Sequence, residues 1–243
     1  MITGRYTPWD ESALKVKTFE IQAIDITNEK LCVQSLTKND FCEAELIYGR
    51  FPSNNLKIKE ILIKSGYFIC ETSLNVTLKN LESYTLPYIY SRRKLSISTL
   101  DKNDYSTLAN ICQNTFDYSR FHEDPFIPND LANARIVQWI RDLANQDVTC
   151  LVNRSNSNDI LSFMIFKTTN DTHIELILGG SKKGYELNSP FFWGSVIQYF
   201  KDKGHSKIST TISAANKGVL SLYQNLGFKI INVKTDYHKH IKF

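Results

Sequence analysis

Asn216-Lys-Gly-Val-Leu-Ser-Leu-Tyr223-Gln-Asn-Leu-Gly227-Phe-Lys-Ile-Ile231 reads as a short helix that feeds directly into a strand. Val219, Leu222 and Leu226 form its apolar stripe, Gly227 supplies a left-handed stop, and Phe228, Ile230 and Ile231 begin the strand. Residues seven apart on a helix return to nearly the same face, about 10 Å apart along the axis. The spacing therefore predicts that Asn216 and Tyr223 look in one direction.

Working outward, an earlier stretch repeats this unit. Asn55-Leu-Lys-Ile-Lys-Glu-Ile-Leu62-Ile-Lys-Ser-Gly66-Tyr-Phe-Ile69 matches it at a constant offset of 161, Asn55 to Asn216 and Gly66 to Gly227, with Ile58 answering to Val219 and Ile61 to Leu222. Each copy follows a strand-like run, 44–48 in the first and 207–212 in the second. One repetition of this length indicates two half-domains of common ancestry, since a solenoid needs at least three shorter units. Leu62 stands where the second copy has Tyr223, so the first copy has no phenol to donate a proton. The N-terminal half then reads as scaffold and the C-terminal half as the chemical one.

The chain of 243 residues is long enough for one large or two small domains, and its 42% hydrophobic and 22% charged residues are those of an ordinary globular protein. The net charge of +4 is spread thinly. The densest basic group, Ser91-Arg-Arg-Lys94, reads as a solvated linker and not as a nucleic-acid patch. The positive balance suits phosphorylated ligands. Five cysteines, Cys32, Cys42, Cys70, Cys112 and Cys150, form no CxxC pair and stand near no histidine at metal-ligand spacing. They read as buried, reduced thiols of a cytoplasmic protein, without a metal or a nucleophilic Cys. The first ten residues lack the apolar core of a signal peptide, and no run approaches ~18 consecutive apolar residues, so no membrane span is expected.

Strands are expected near 19–26, 44–50 and 67–78, with a connection at 82–93 that puts the domain boundary at 92: an N-terminal half, 1–92, and a C-terminal half, 93–243. In the latter the pattern predicts a strand at 94–98, a helix from Asp101 to about Phe116, and a second helix capped by Asp130 and carrying Ile136, Trp139, Ile140 and Leu143. Strands at 148–152, 160–166 and 173–178 follow, then a helix at 191–203 stopped by Gly204, and the strand, helix and strand already described. The fold class is α/β (α+β).

The order βααβββαβαβ, with the Asn-x6-Tyr-x3-Gly-Phe pattern at its end, resembles the GNAT superfamily of N-acetyltransferases over residues 94–243. The first half then resembles a smaller, degenerate GNAT-like unit. The resemblance implies acetyl-CoA as acyl donor, Asn216 as a contact of its pantetheine arm, and Tyr223 as the acid that protonates the departing thiolate. It also implies a pyrophosphate site at the start of the 191–203 helix, where backbone N–H groups attract anions. Counting back places that loop on Gly184-Tyr185-Glu186-Leu187-Asn188-Ser189, a poor match to the family pattern because Leu187 replaces a glycine. Leu178, Gly179 and Gly180 precede it as the strand end and a flexible turn.

Pro8-Trp-Asp-Glu-Ser12, Phe116-Asp117-Tyr118-Ser119-Arg120-Phe121-His122-Glu-Asp-Pro125 and Trp139, together with the leading half-domain, resemble nucleotide-amino-sugar N-acetyltransferases such as TDP-fucosamine acetyltransferase. This implies as acceptor the amine of a dTDP- or UDP-linked 4-amino-4,6-dideoxy sugar, used for surface polysaccharide assembly. In the 116–125 loop Tyr118 and Phe121 can stack on sugar or base, Arg120 can pair with the diphosphate, and Asp117 and His122 are polar contacts. Trp9 is expected in the core. Glu175 and His122 are the candidate bases; His238 and His240, expected near a sheet edge, carry no role. A homodimer is compatible with this reading. The alternatives are an amino-acid, polyamine or protein-amine acceptor, and a non-catalytic binding protein of the same fold.

Overall fold

The structure is a computed structural model that describes residues 1–113 and 115–241. Among the described residues the strands are β1 (Ile2–Tyr6), β2 (Thr18–Ile24), β3 (Leu46–Pro52), β4 (Phe68–Lys79), β5 (Ser98–Thr99), β6 (Thr149–Arg154), β7 (Ile160–Asn170), β8 (His173–Ser181), β9 (Lys207–Ser213) and β10 (Lys229–His240). They form one mixed α/β sheet in the order β1-β2-β3-β10-β4-β9-β8-β7-β6-β5. The helices are α1 (Pro8–Leu14), α2 (Glu29–Lys38), α3 (Leu56–Lys64), α4 (Tyr88–Ser91), α5 (Tyr105–Ile111), α6 (Asn129–Leu143), α7 (Ser189–Asp202) and α8 (Lys217–Asn225). Side chains alternate across a strand, and β7 shows both faces buried. Met164 and Phe166 join the core under α7 and α8, while Phe163 and Ile165 join the one under α5 and α6.

The repeat seen in the sequence is structural. β3, α3 and β4 begin and end 161 residues before β9, α8 and β10. The pairings obey the same offset: Pro52 opposite Lys234 between β3 and β10 corresponds to Ser213 opposite Ser73 between β9 and β4. Ser73 and Lys234, opposite each other between β4 and β10, are each other's equivalents, so the pseudo-twofold relation passes through that pair.

This relation corrects the division of the chain at residue 92. The last strand of each half lies in the other half's territory, because β4 pairs with β9 and β10 lies between β3 and β4. The halves share a sheet and exchange a strand. His238 and His240 consequently lie on an interior strand and not near an edge, with His238 fully buried.

Other differences are local. The expected strand at 94–98 is reduced to β5, held to β6 at Ser98–Val152 and Thr99–Leu151. The expected helix from 101 is a 3-10 turn at Lys102–Asp104 followed by α5, which ends well before Phe116. β1 and α1 had no sequence reading, because five polar-leaning residues and one turn around Pro8 carry no clear period. Trp9 is exposed beneath the Arg5 guanidinium, 5.2 Å from its ring centroid, and not in the core.

Candidate functional site

β8 and β9 run parallel but are registered only from His173–Lys207 to Glu175–Ser209. Beyond that point β8 continues to Ser181 and β9 to Ser213 without pairing. A bulge marks the parting: Leu176 opposes Phe166 and Leu178 opposes Ile165, leaving Ile177 as the extra residue on β8. A bulge bends and twists its strand, which carries the outer part of β8 away from β9. The Thr210 hydroxyl donates to the Leu176 carbonyl (3.0 Å) at the apex of this V, and farther out the facing backbone groups of the two strands are left for another partner.

The V opens into a cleft of about 550 Å³. Its walls are Glu175 and Leu178 of β8, Thr211 and Ser213 of β9, Arg135 and Trp139 of α6, Tyr118 and Arg120 of the 116–125 loop, and Arg50 and Glu71 on the exchanged side of the sheet. The predicted acceptor loop and the predicted donor strand thus face one space. The loop residues differ in what they do there. Tyr118 is exposed toward the cleft, whereas Asp117 does not line it, and Phe121 is buried against Tyr48 with ring centroids 5.7 Å apart.

Arg120 lines the cleft but is not free to clamp a diphosphate, a correction to its expected role. Its guanidinium lies over the Tyr48 ring (4.5 Å) and pairs with Glu20 (3.6 Å) and Asp236 (3.7 Å). Arg50 adds Asp236 (2.7 Å) and Glu71 (2.9 Å), which makes the floor a set of interlocked charges contributed by both halves. Alongside it, Asp10 of α1 accepts from Tyr48 and from Arg135, tying the N-terminal helix to α6. That is the structural meaning of the Pro8-Trp-Asp-Glu-Ser motif.

His122 is hydrogen-bonded at both ring nitrogens, its Nδ1 to Ser119 Oγ (2.8 Å) and its Nε2 to Asn133 Oδ1 (3.1 Å), and it does not line the cleft. Glu175 does line it, at the last paired position before the V, and forms an ion pair with Lys167 at 3.0 Å.

On the donor side, Gly184, Tyr185, Leu187, Asn188 and Ser189 form the turn and 3-10 segment that lead into α7. α7 has no side-chain cap, since Asn188 Oδ1 instead accepts from Arg93 (3.1 Å). Arg92 and Arg93 both lie over the Phe191 ring, so the arginine pair that reads as linker stands beside the first turn of α7. Only the fold could reveal this, because about 95 residues separate Arg93 from Asn188. Leu187, 90% exposed, leaves the turn open. Gly179 and Gly180 are not turn residues; they lie within β8 opposite Met164 and Phe163. A Cβ on Gly179 would come within 2.6 Å of Met164 Cε and 3.0 Å of Trp193 Cζ2, so a larger residue would have to displace the Met164 side chain.

Asn216 is the N-cap of α8 and not a residue on its helical face. Its Oδ1 accepts from Val219 N (3.1 Å), as Asn55 Oδ1 does from Ile58 N (3.1 Å) at the equivalent place in α3. The repeated asparagine is therefore explained by capping, worth about 1 kcal/mol in each helix. Tyr223 is 4% exposed and packs edge-on against Phe228, with centroids 4.8 Å apart. It does not line the cleft. Burial pushes its phenol up to about 12; Trp193 and Thr210 lie near enough to oppose that rise, although the Trp193 indole N–H has no partner of normal hydrogen-bond geometry. Thr210 links the phenol to the apex of the V.

Cys70, Asp124 and His238, remote in sequence, place metal-type donor atoms within 4.8 Å of one another. These groups serve each other: Asp124 Oδ2 meets His238 Nδ1 (2.7 Å) and His240 Nε2 (2.8 Å), and Cys70 Sγ donates to the Arg120 carbonyl (2.8 Å). The five cysteines are all unbridged, and burial pushes the Cys112 and Cys150 thiols up to about 12. No helix of the described residues is long and apolar enough to cross a membrane.

The fold as a whole is found in solved structures. A GCN5-related N-acetyltransferase from Sphaerobacter thermophilus aligns with 99% of this chain and 76% of its own, at a TM-score of 0.65 and 9% identity. This chain has the GNAT fold. A tandem GNAT protein from the clavulanic acid biosynthesis pathway aligns with 93% of this chain and 76% of its own, at a TM-score of 0.58 and 8% identity. The tandem architecture fits the two repeated halves of this chain. Among curated sequences, the spore coat polysaccharide biosynthesis protein SpsD of Bacillus subtilis (strain 168) is 18% identical over 238 residues, covering 95% of this chain and 80% of SpsD. No family model matches.

Proposed function

We propose that this protein transfers the acetyl group of acetyl-CoA to the amine of a nucleotide-linked 4-amino-4,6-dideoxy sugar destined for surface polysaccharide. The observation that carries this reading is the parting of β8 and β9 at Ile177, which opens onto a cleft with aromatic walls and a floor of interlocked charges. A thioester arm lying in the V finds unpaired strand backbone for its amides. The diphosphate of the same molecule meets the first turn of α7, with Arg92 and Arg93 at its side. The fit to an acyl-CoA rests on those groups, and the likeness to a polysaccharide biosynthesis protein supports a sugar acceptor.

On the other side, Tyr118 and Trp139 offer flat surfaces to a sugar ring or base. Attack of the neutral amine on the thioester carbonyl forms the N–C bond, and the C–S bond then breaks. Tyr223 gives its proton to the thiolate in this scheme. A phenol near 12 is protonated at neutral pH, and its Thr210 neighbour marks the apex. Incubation with acetyl-CoA and a panel of dTDP- and UDP-linked 4-amino-4,6-dideoxy sugars, read by mass spectrometry, tests the proposal. Gain of one acetyl group on a nucleotide sugar is expected. Acetylation of polyamines, amino acids or peptide amines in its place would move the acceptor to another class.

A further inference from the structure

Glu71 is the one carboxylate that the strand exchange brings to the inner end of the cleft. The β4–β9 ladder ends at Ser73–Ser213 with one further backbone bond from Ala214 N to the Thr72 carbonyl (2.8 Å), so Glu71 lies just beyond the end of its neighbouring strand and lines the cleft. It is 4% exposed. Arg50 Nη2 donates to its Oε2 at 2.9 Å, while Arg50 Nε is committed to Asp236 (2.7 Å). At the 161-residue offset, the position equivalent to Glu71 is Asn232, so the acid occurs on one side only of the duplicated unit.

The other acids are placed differently, Asp147 of the cleft lining being exposed just before β6. Glu175 is 43% exposed and held by Lys167 at the mouth. Glu123 is held by the Ser213 hydroxyl (2.6 Å), and Asp236 is wholly buried in the Arg50 pair. Building on the reading above, we infer that Glu71 is the general base that takes a proton from the acceptor ammonium.

The proton balance is complete. An ammonium N–H proton passes to a Glu71 carboxylate oxygen and from there to water; the freed lone pair forms the N–C bond. The proton that nitrogen sheds on becoming an amide balances the one that sulfur takes up as the C–S bond breaks, and one proton is released per turnover. The surroundings suit the task. Burial pushes Glu71 up to about 7, opposed by Arg50, reinforced by Asp236 and Glu123, and opposed more weakly by Arg120. A base near the working pH combines adequate strength with adequate population of the ionised form. Lys167 and Glu175 face the same cleft from β7 and β8 and largely cancel.

The test is the pH profile of kcat/KM for wild type, Glu71→Gln and Glu71→Asp, with acetyl-CoA affinity measured by calorimetry. In wild type the rate should climb through a limb near pH 7. Glu71→Gln should lose that limb and about 10²- to 10⁴-fold in kcat with acetyl-CoA affinity unchanged, and Glu71→Asp should restore part of it. Glu71→Gln with full rate and an intact limb would overturn the inference, as would Glu175→Gln removing the limb in its place.

A second readout needs no turnover. ¹³C-glutamate NMR should show a carboxyl titrating near 7, absent in Glu71→Gln and shifted by a methyl 4-amino-4,6-dideoxyglycoside; lack of such a resonance overturns the assignment. A wild type that acetylates no amine while showing this amine-sensitive carboxyl would fail the functional reading alone. Because ionising a carboxyl with a raised folded pKa lowers stability as pH rises past it, Glu71→Gln should melt above wild type at pH 8 and level with it at pH 5. The reverse order would contradict a buried, destabilised charge.

Discussion

At the residue scale, the motif that opens the sequence divides into a cap and a phenol with different fates. Asn216 and Tyr223 share a face only if the helix includes both, and the helix begins at Lys217 with Asn216 as its cap. Residue type and spacing cannot separate a helical Asn from a capping one, yet the copy at Asn55, where no chemistry is expected, already pointed to a structural job. Tyr223 was legible as a special position, but its depth was not, because burial depends on Phe228 and Trp193 arriving from other elements. Tyr223→Phe keeps that packing and removes only the proton. It should lower kcat by about 10²-fold or more and leave acetyl-CoA affinity unchanged in steady-state and calorimetric measurements. Unchanged kcat would reduce the residue to a core aromatic.

At the element scale, helices and strands of the second half were readable wherever a clear period ran for several turns, as in α6 and α7, or a turn cluster bounded an apolar run, as in β6 and β7. Pairing was not readable. β4 and β10 have equivalent sequences, and either could in principle close its own half; which neighbour a strand takes is settled by non-local competition among edges. The exchange has a direct consequence for a fragment. Residues 93–243 alone keep β9 and β10 but lose β4, the strand hydrogen-bonded to both, and β3, the other neighbour of β10, leaving β9 with an open edge and β10 with neither native partner. Expressed alone, this fragment should be insoluble or unfolded by circular dichroism, and co-expression with residues 1–92 should recover a soluble complex. A monomeric, cooperatively melting 93–243 fragment would show that the exchange is not needed.

At the scale of the whole molecule, the sequence yields the fold class and its duplication, while the site appears only after the two halves interlock. Arg50, Glu71 and Asp236 come from three segments of the chain, and Arg93 meets Asn188 across the molecule. No local pattern announces such meetings. Glu71 sits in an ordinary-looking strand, and its environment is set by where β9 ends. The N-terminal half is accordingly more than scaffold, since it lends β4, Arg50 and Glu71 to the cleft. The claim on which this depends is that the V between β8 and β9 seats an acyl-CoA against the floor of interlocked charges. The measurement closest to it is electron density from a crystal of the intact protein soaked with acetyl-CoA. The thioester should lie between Ile177 and Ile212 with the diphosphate at the first turn of α7; full occupancy anywhere else on the molecule, with the V empty, would contradict the account.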